Sequence, residues 1–358
     1  MKERKPLIQI FIIIVVAVLI FLAATPIGKN ELAAIGYERY SITFFDVFDT
    51  QTQIIGYSKS QREFEAQAQK LKEKLIFYHQ QYDIYKEYEG INNLKTVNDN
   101  AGVEPVKVDA SIIEMLQFSK EMCEQTEGQI NIAMGSVLSI WHDYRTEGIQ
   151  NPEQAELPPM ELLTAAAAHT DISKVIIDEE ASTVYLEEKE ISLDVGSIGK
   201  GYAVQKVAEY AQEIGMENVL LSVGGNICAV GVRADGTAWR MGIQNPDLES
   251  EEAYVKAVDF SNASLVTSGS YQRYYEVDGK RYCHIIDPDT LMPAEYFDSV
   301  SIIAEDSGVA DALSTSVFNM PLAEGIAFVN EMDGMEAMWI LKDGSIRYSD
   351  NFEQYVTQ

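Results

Sequence analysis

The chain has 358 residues, 46% of them hydrophobic and 23% charged, a balance that supplies a buried core and excludes an extended disordered chain. Its 56 Asp and Glu outnumber its 27 Lys and Arg, and a surface of formal charge −29 repels phosphate backbones, which speaks against nucleic acid as a partner. Cys123, Cys228 and Cys283 are widely spaced, form no C-x-x-C pair, rule out a disulfide framework and read as small core residues.

The first five residues, MKERK, carry three positive charges, and an apolar run of 18 residues follows from Leu7 to Ala24 with Gln9 as its one strongly polar member. At 1.5 Å per residue a helix of that length reaches about 27 Å, close to a bilayer core, whereas a secretory apolar region spans only about 7 to 15 residues. Residues 1–25 therefore predict a basic cytoplasmic flank and an uncleaved signal anchor, with everything after Pro26 on the outer face. A cleaved signal peptide is the competing reading, because Ala23 and Ala24 supply small residues near a cleavage site. No Cys follows the run, so lipoprotein-type lipidation is unavailable. Residues 26–40 read as a linker. Residues 41–358 contain no repeat, low-complexity tract or Pro/Gly-rich hinge and read as one catalytic unit.

Within that unit, residues 41–57 are rich in β-branched and aromatic side chains and predict a strand pair. Phe64, Ala68, Leu71, Leu75 and Tyr78 recur at helical spacing over residues 60–82. Asp109 or Ser111 can cap a helix running to about Thr126, with Gly128 where it would stop, and LLTAAAAH near residue 162 is helical by propensity. KVIID, TVYLE and ISLDV, from Lys174 onward, predict three short strands of an antiparallel meander. The helix IGKGYAVQKVAEYAQEIG follows, and then a strand-rich half with Asp-Gly turns at Asp235, Asp278 and Asp343. Runs of strands with helices grouped between them predict an α+β fold of mostly antiparallel sheets with packed helices, preceded by the one transmembrane helix.

Three segments carry chemistry. In DVGSIGKGYA, Asp194 to Ala203, a strand ends in a glycine-rich turn that opens a helix, and such a junction aims backbone N–H groups and a positive dipole end at one spot. It is neither a P-loop nor a Rossmann fingerprint, since its glycines run 196, 199, 201 and Gly201 follows Lys200. An anion site and a tight structural turn both remain open. In VADALSTSVF, Asp311 and Thr315 are four residues apart and share a helix face beside Ser314; a carboxylate with hydroxyls suits Mg²⁺, although on spacing alone a Ser/Thr-rich helix with one Asp is more often a capped or solvated helix. In RYCHIIDP, His284 can move a proton near pH 7 or sit as a core histidine satisfied by the backbone.

Over nearly all of residues 41–355 the chain resembles the FAD:protein FMN transferases, the ApbE-like flavin transferases. The matching pieces stand in the family's order: FFDVFDT, DIYKEYEGINNLKTVN, TEGQINIAMGSVLSIW, DVGSIGKGYAVQKV, VLLSVGGNICAVG, TSGSYQRYYEVDGKRYCHIIDP and VADALSTSVF. The resemblance implies a T-fold-like architecture and Mg²⁺-dependent transfer of FMN from FAD to a Thr or Ser hydroxyl of a partner protein, releasing AMP. It implies FAD contacts at Asp194, Lys200 and Ile285, flavin contacts at Phe48, Tyr85 and Gln129, Ile130 and Asn131, Mg²⁺ ligation by Ser197, Asp311, Ser314 and Thr315, and proton handling by His284. Acceptors would be membrane electron-transfer subunits or secreted FMN-carrying proteins, reached on the outer face of the cytoplasmic membrane. The chain departs from the family's usual residues at Asn131, Ala133, Ser136 and Asn226, where Asp, Thr, Pro and Asp are usual. Two other activities fit the same residues: an outer-face protein that holds FAD without transferring it, and an FAD pyrophosphatase.

Overall fold

A computed structural model describes residues 36–357 of the chain. The expected signal anchor at residues 1–25 and most of the expected linker lie outside the described residues. Among the described residues no helix is long and apolar enough to cross a membrane.

The strand pair opens the fold as β1 (Glu38–Val47) and β2 (Thr50–Ser58), joined through Phe48 and Asp49. Both turn residues have positive φ, 52° and 48°, the backbone sign that a two-residue hairpin needs to match strand twist. Ser60 then caps α1 (Gln61–Tyr82) by accepting a hydrogen bond from the N–H of Glu63, and the predicted stripe of Phe64, Ala68, Leu71 and Leu75 is buried. Next come α2 (Leu94–Asp99), β3 (Val106–Lys107), α3 (Ala110–Gln125) capped by Asp109, α4 (Gly135–Gln150) and α5 (Met160–Ala167).

The meander forms with one change. β4 (Val175–Asp178) and β5 (Thr183–Leu186) pair as predicted, but the third strand is β3, on the far side of β5. ISLDV is not a strand of that sheet, because its backbone bonds elsewhere. Leu193 exchanges two hydrogen bonds with the side-chain amide of Asn98, and Asp194 N–H donates to the carbonyl of Ile132 at 2.8 Å. These ties hold the chain entering the glycine turn.

After α6 (Gly199–Glu213), β6 (Asn218–Val223) and β7 (Asn226–Gly231) form a hairpin, and β8 (Trp239–Gln244) pairs with β9 (Tyr254–Phe260). Then follow β10 (Ala263–Gly269), the hairpin β11 (Tyr274–Val277) and β12 (Lys280–Cys283), β13 (Phe297–Ala304), α7 (Ser307–Phe318), α8 (Leu322–Asn330), β14 (Glu336–Leu341) and β15 (Ile346–Tyr348). The main sheet has eight strands in the order β1-β2-β6-β7-β10-β13-β14-β15, antiparallel throughout.

Strand alternation buries this sheet on both faces. Val219, Leu221 and Val223 of β6 pack with α1 and α6, whereas Leu220 between them joins Trp239, Val258 and Phe352 under the β8–β9 hairpin. The three cysteines are free and buried, as their isolation in sequence predicted. The architecture is the mixed α+β arrangement of antiparallel sheets and packed helices expected from the sequence.

Candidate functional site

A cavity of about 1130 Å³ opens between α4, the start of α6, the ends of β7 and β10, and the segment after β12. Its floor is fixed where the two sequence-distant segments meet. Gly201, in the first turn of α6, donates its N–H to Asp311 Oδ2 on α7 at 2.7 Å. The fit leaves no room for a side chain: a Cβ on Gly201 would stand 2.3 Å from Asp311 Cβ and 2.4 Å from the carbonyl oxygen of Ser307. We expect Gly201→Ala to cost about 3 kcal/mol, because the clashing partner includes backbone that cannot swing away. Chemical denaturation should show that loss, with flavin transfer falling in step.

Burial raises the pKa of Asp311, while Lys200 and the Gly201 N–H oppose the rise by favouring the anion. Only Oδ2 accepts a hydrogen bond within the protein. Thr315 and Ser197 line the same cavity, so one buried carboxylate and two hydroxyls present hard oxygens to it. Asp194 also lines the cavity and accepts from the Gly196 N–H at 2.8 Å; its pKa is raised by burial, against the pull of that N–H, His142, Lys200 and Arg145. Among the described residues, no three His, Cys, Asp or Glu side chains converge as a metal cluster.

His284 follows β12 and faces the cavity. Its N–H and its Nδ1 both approach the carbonyl oxygen of Arg273, at 3.0 and 3.2 Å. A carbonyl only accepts, so Nδ1 carries the proton and Nε2 keeps its lone pair. Burial, then the charges of Arg273, Arg145 and Lys200, push the imidazole pKa down from 6.5 to about 3. The ring is therefore neutral across the physiological range.

Tyr85, 58% exposed, lines the wall with its ring centroid 5.5 Å from that of His142, and its backbone N–H is held by Asp83 Oδ1 at 2.7 Å. Gln129 donates to Asp289, and its Oε1 is buried with no hydrogen-bond partner. Ile130, Asn131 and Ile285 also line the cavity. The amide of Asn131 donates to the Thr170 carbonyl at 2.8 Å while its oxygen accepts from Ala133 N–H. A carboxylate could not make that donation, which gives the departure from Asp at this position a structural reason. Asn226 is 1% exposed, and its Nδ2 lies near Asp311 short of a full hydrogen bond.

Two of the expected contacts are corrected by the geometry. Phe48 does not line the cavity: its left-handed turn places the ring edge-on to His79 at 5.4 Å, and Thr50 and Gln51 beyond it reach the wall instead. Ser314 is fully buried, and its hydroxyl is occupied by the carbonyl of Asp311 at 3.0 Å and by Ser268 Oγ at 2.8 Å. Ser268 itself lines the cavity and stands 3.3 Å from Thr315 Oγ1. The sequence reading also missed Arg145 and Arg273. Each lies within a segment already singled out or next to it, Arg145 four residues after Trp141 and Arg273 in TSGSYQRYY, and the excess of acidic residues gave a signal that any free cation was worth noting.

The family model for ApbE matches residues 39–339. A Treponema pallidum (strain Nichols) protein named FAD:protein FMN transferase is 32% identical over 270 residues, 72% of this chain and 72% of its own length. A Klebsiella pneumoniae (strain 342) protein of the same name is 29% identical over 273 residues, 74% of this chain and 82% of its own. Among solved structures, the ApbE protein of Thermotoga maritima superposes with a TM-score of 0.78 at 27% identity, covering 90% of this chain and all of its own. The flavin transferase ApbE of Vibrio cholerae, at 24% identity and a TM-score of 0.74, shares the fold over 89% of this chain and 99% of its own.

Proposed function

The chain belongs to the ApbE family, and from that premise we propose that it moves FMN from FAD onto a Thr or Ser hydroxyl of a partner protein with a divalent cation held in this cavity. Transfer of FMN from FAD to protein is the activity its relatives are named for, and it is the activity of this chain. One observation carries the reading of how it works: the glycine turn and the aspartate-bearing helix, 110 residues apart, meet through the Gly201–Asp311 hydrogen bond at the floor of the cavity that His284 and Lys200 also line.

The donor set fits Mg²⁺, since Asp311 has one oxygen without a protein partner and Thr315 and Ser197 add neutral oxygens. When bound, the ion would neutralise charge building on the pyrophosphate oxygens. Lys200 and the N-terminus of α6 supply further positive potential where a chain of −29 needs it most. The acceptor hydroxyl oxygen attacks the flavin-side phosphorus. A new P–O bond forms to the partner, the P–O bond to the AMP phosphate breaks, and the hydroxyl proton passes to Nε2 of His284. Tyr85 offers an aromatic face to the flavin, and Gln129 Oε1 an acceptor for a ring N–H. The basic flank and apolar run at residues 1–25 support an outer-face location and acceptors on that side.

Incubating the chain with FAD, Mg²⁺ and an acceptor carrying a Thr-containing flavinylation motif tests this reading. We expect covalent, fluorescent flavin on the acceptor, one AMP released per label, and no label after EDTA. AMP and free FMN with no label would identify a pyrophosphatase, and bound FAD with no AMP a binding protein.

A further inference from the structure

We infer that Arg145 and Arg273 form a two-guanidinium clasp for the flavin-side phosphate of the dinucleotide, the phosphorus that is attacked; the inference rests on the transferase reading above. In a chain with 56 acidic residues, both cations line the cavity, and among the described residues neither forms an ion pair with a carboxylate. Arg145 spends one Nη2 hydrogen bond on His142 Nδ1, at 3.1 Å, leaving the rest of its fork unengaged. Arg273 uses only its backbone carbonyl, to seat His284. Asp143, Asp194 and Asp311 line the same cavity without an ion pair to either guanidinium: Asp194, whose charge acts on Arg145, is held by the Gly196 N–H and Asp311 by the Gly201 N–H.

Both guanidinium groups line one cavity, and burial, with the charge of Arg273 adding to it, lowers the pKa of Arg145, an arrangement that costs free energy until an anion arrives. A phosphate accepts the planar donor forks of arginine bidentately, which a lysine cannot reproduce. The elements that carry the two residues are locked together. Gly148 of α4 lets the Tyr275 ring of β11 approach so closely that a Cβ there would stand 2.6 Å from it, and the Tyr275 hydroxyl donates to the Glu156 carbonyl at 3.2 Å. The spacing of Arg145 and Arg273 is thus set by packing before any ligand binds. Arg273 seats His284, the group that takes the nucleophile's proton, through its carbonyl, and Arg145 lines the same cavity, which points the pair at the attacked phosphorus rather than at the departing one.

Affinities of the full-length chain for FMN and riboflavin, and for AMP and adenosine, test the clasp without relying on turnover. The wild type should prefer FMN to riboflavin. Arg145→Gln and Arg273→Gln should each lower that preference by about 10- to 100-fold, the worth of hydrogen bonds to a charged group. Riboflavin affinity should hold in both, which also reports that the variants are folded, and the preference for AMP over adenosine should stay as it is. Arg145→Lys should recover only part of the loss. An FMN preference unchanged in both Gln variants, or a loss confined to the AMP preference, would overturn the assignment. A wild-type chain that shows the clasp yet labels no acceptor would keep this inference and remove the transferase reading.

Discussion

Asp311→Asn should lower FMN transfer by about 10³-fold, the scale of several kcal/mol of lost charge stabilisation at a transferring phosphoryl group. The choice of Asn follows from the geometry. Asp311 Oδ2 accepts the Gly201 N–H at 2.7 Å, and the amide oxygen of Asn can accept the same bond, so the seam between α6 and α7 stays closed while the charge goes. Asp311→Ala removes the charge too, but it strands a buried N–H at a cost of about 1 to 3 kcal/mol and confuses a chemical loss with a structural one. Transfer rates with Mg²⁺ in excess, alongside thermal unfolding, separate the two. A variant with Asn at this position that labels acceptor at the wild-type rate would remove Asp311 from the metal site.

His284→Ala should slow transfer by about 10² to 10⁴-fold, the usual worth of a positioned proton acceptor, with FAD affinity changed by no more than a few-fold. Added imidazole should restore part of the rate, an effect that a purely structural histidine would not give. The free protein holds the imidazole near pKa 3, too weak a base for the task, because burial and three cations disfavour its charge. A bound pyrophosphate brings negative charge beside the ring and raises that value toward the working pH. Ligand-free stability carries the opposite signature. The folded value of about 3 lies below the unfolded 6.5, so the unfolded chain binds this proton first. The histidine's contribution is complete above pH 6.5 and is lost as pH falls from 6.5 toward 3. Denaturation midpoints at pH 7 and pH 5 should therefore differ less in His284→Asn than in the wild type. An equal difference in both proteins would mean that the ring is not held neutral.

Local signals made most of the elements legible. The Phe64 to Leu75 stripe, the Asp109 cap and the Asp-Gly turn at Asp278 each fix their own few residues, and the structure places helix, helix and hairpin there. ISLDV misled because its alternation is that of a strand, while its backbone is claimed by Asn98 and Ile132, partners that no local pattern reveals. The same limit applies to the site. Helical spacing puts Asp311 and Thr315 on one face, and both line the cavity, but it cannot say that Ser314 turns inward to Ser268, a contact across 46 residues. Phe48 was placed by its motif, whereas its positive φ, visible only in three dimensions, turns the ring toward His79. Arg145 and Arg273 come to line one cavity through packing of α4 on the β11 hairpin, for which periodicity has no signature.

The most direct measurement is the anomalous scattering of Mn²⁺ in crystals of the chain grown with FAD. One strong peak is expected, bonded to a carboxylate oxygen of Asp311, within reach of Thr315 and the Ser197 segment, and in contact with both phosphates of the dinucleotide. A peak seated elsewhere, or FAD phosphates held with no cation between them and Asp311, would contradict it.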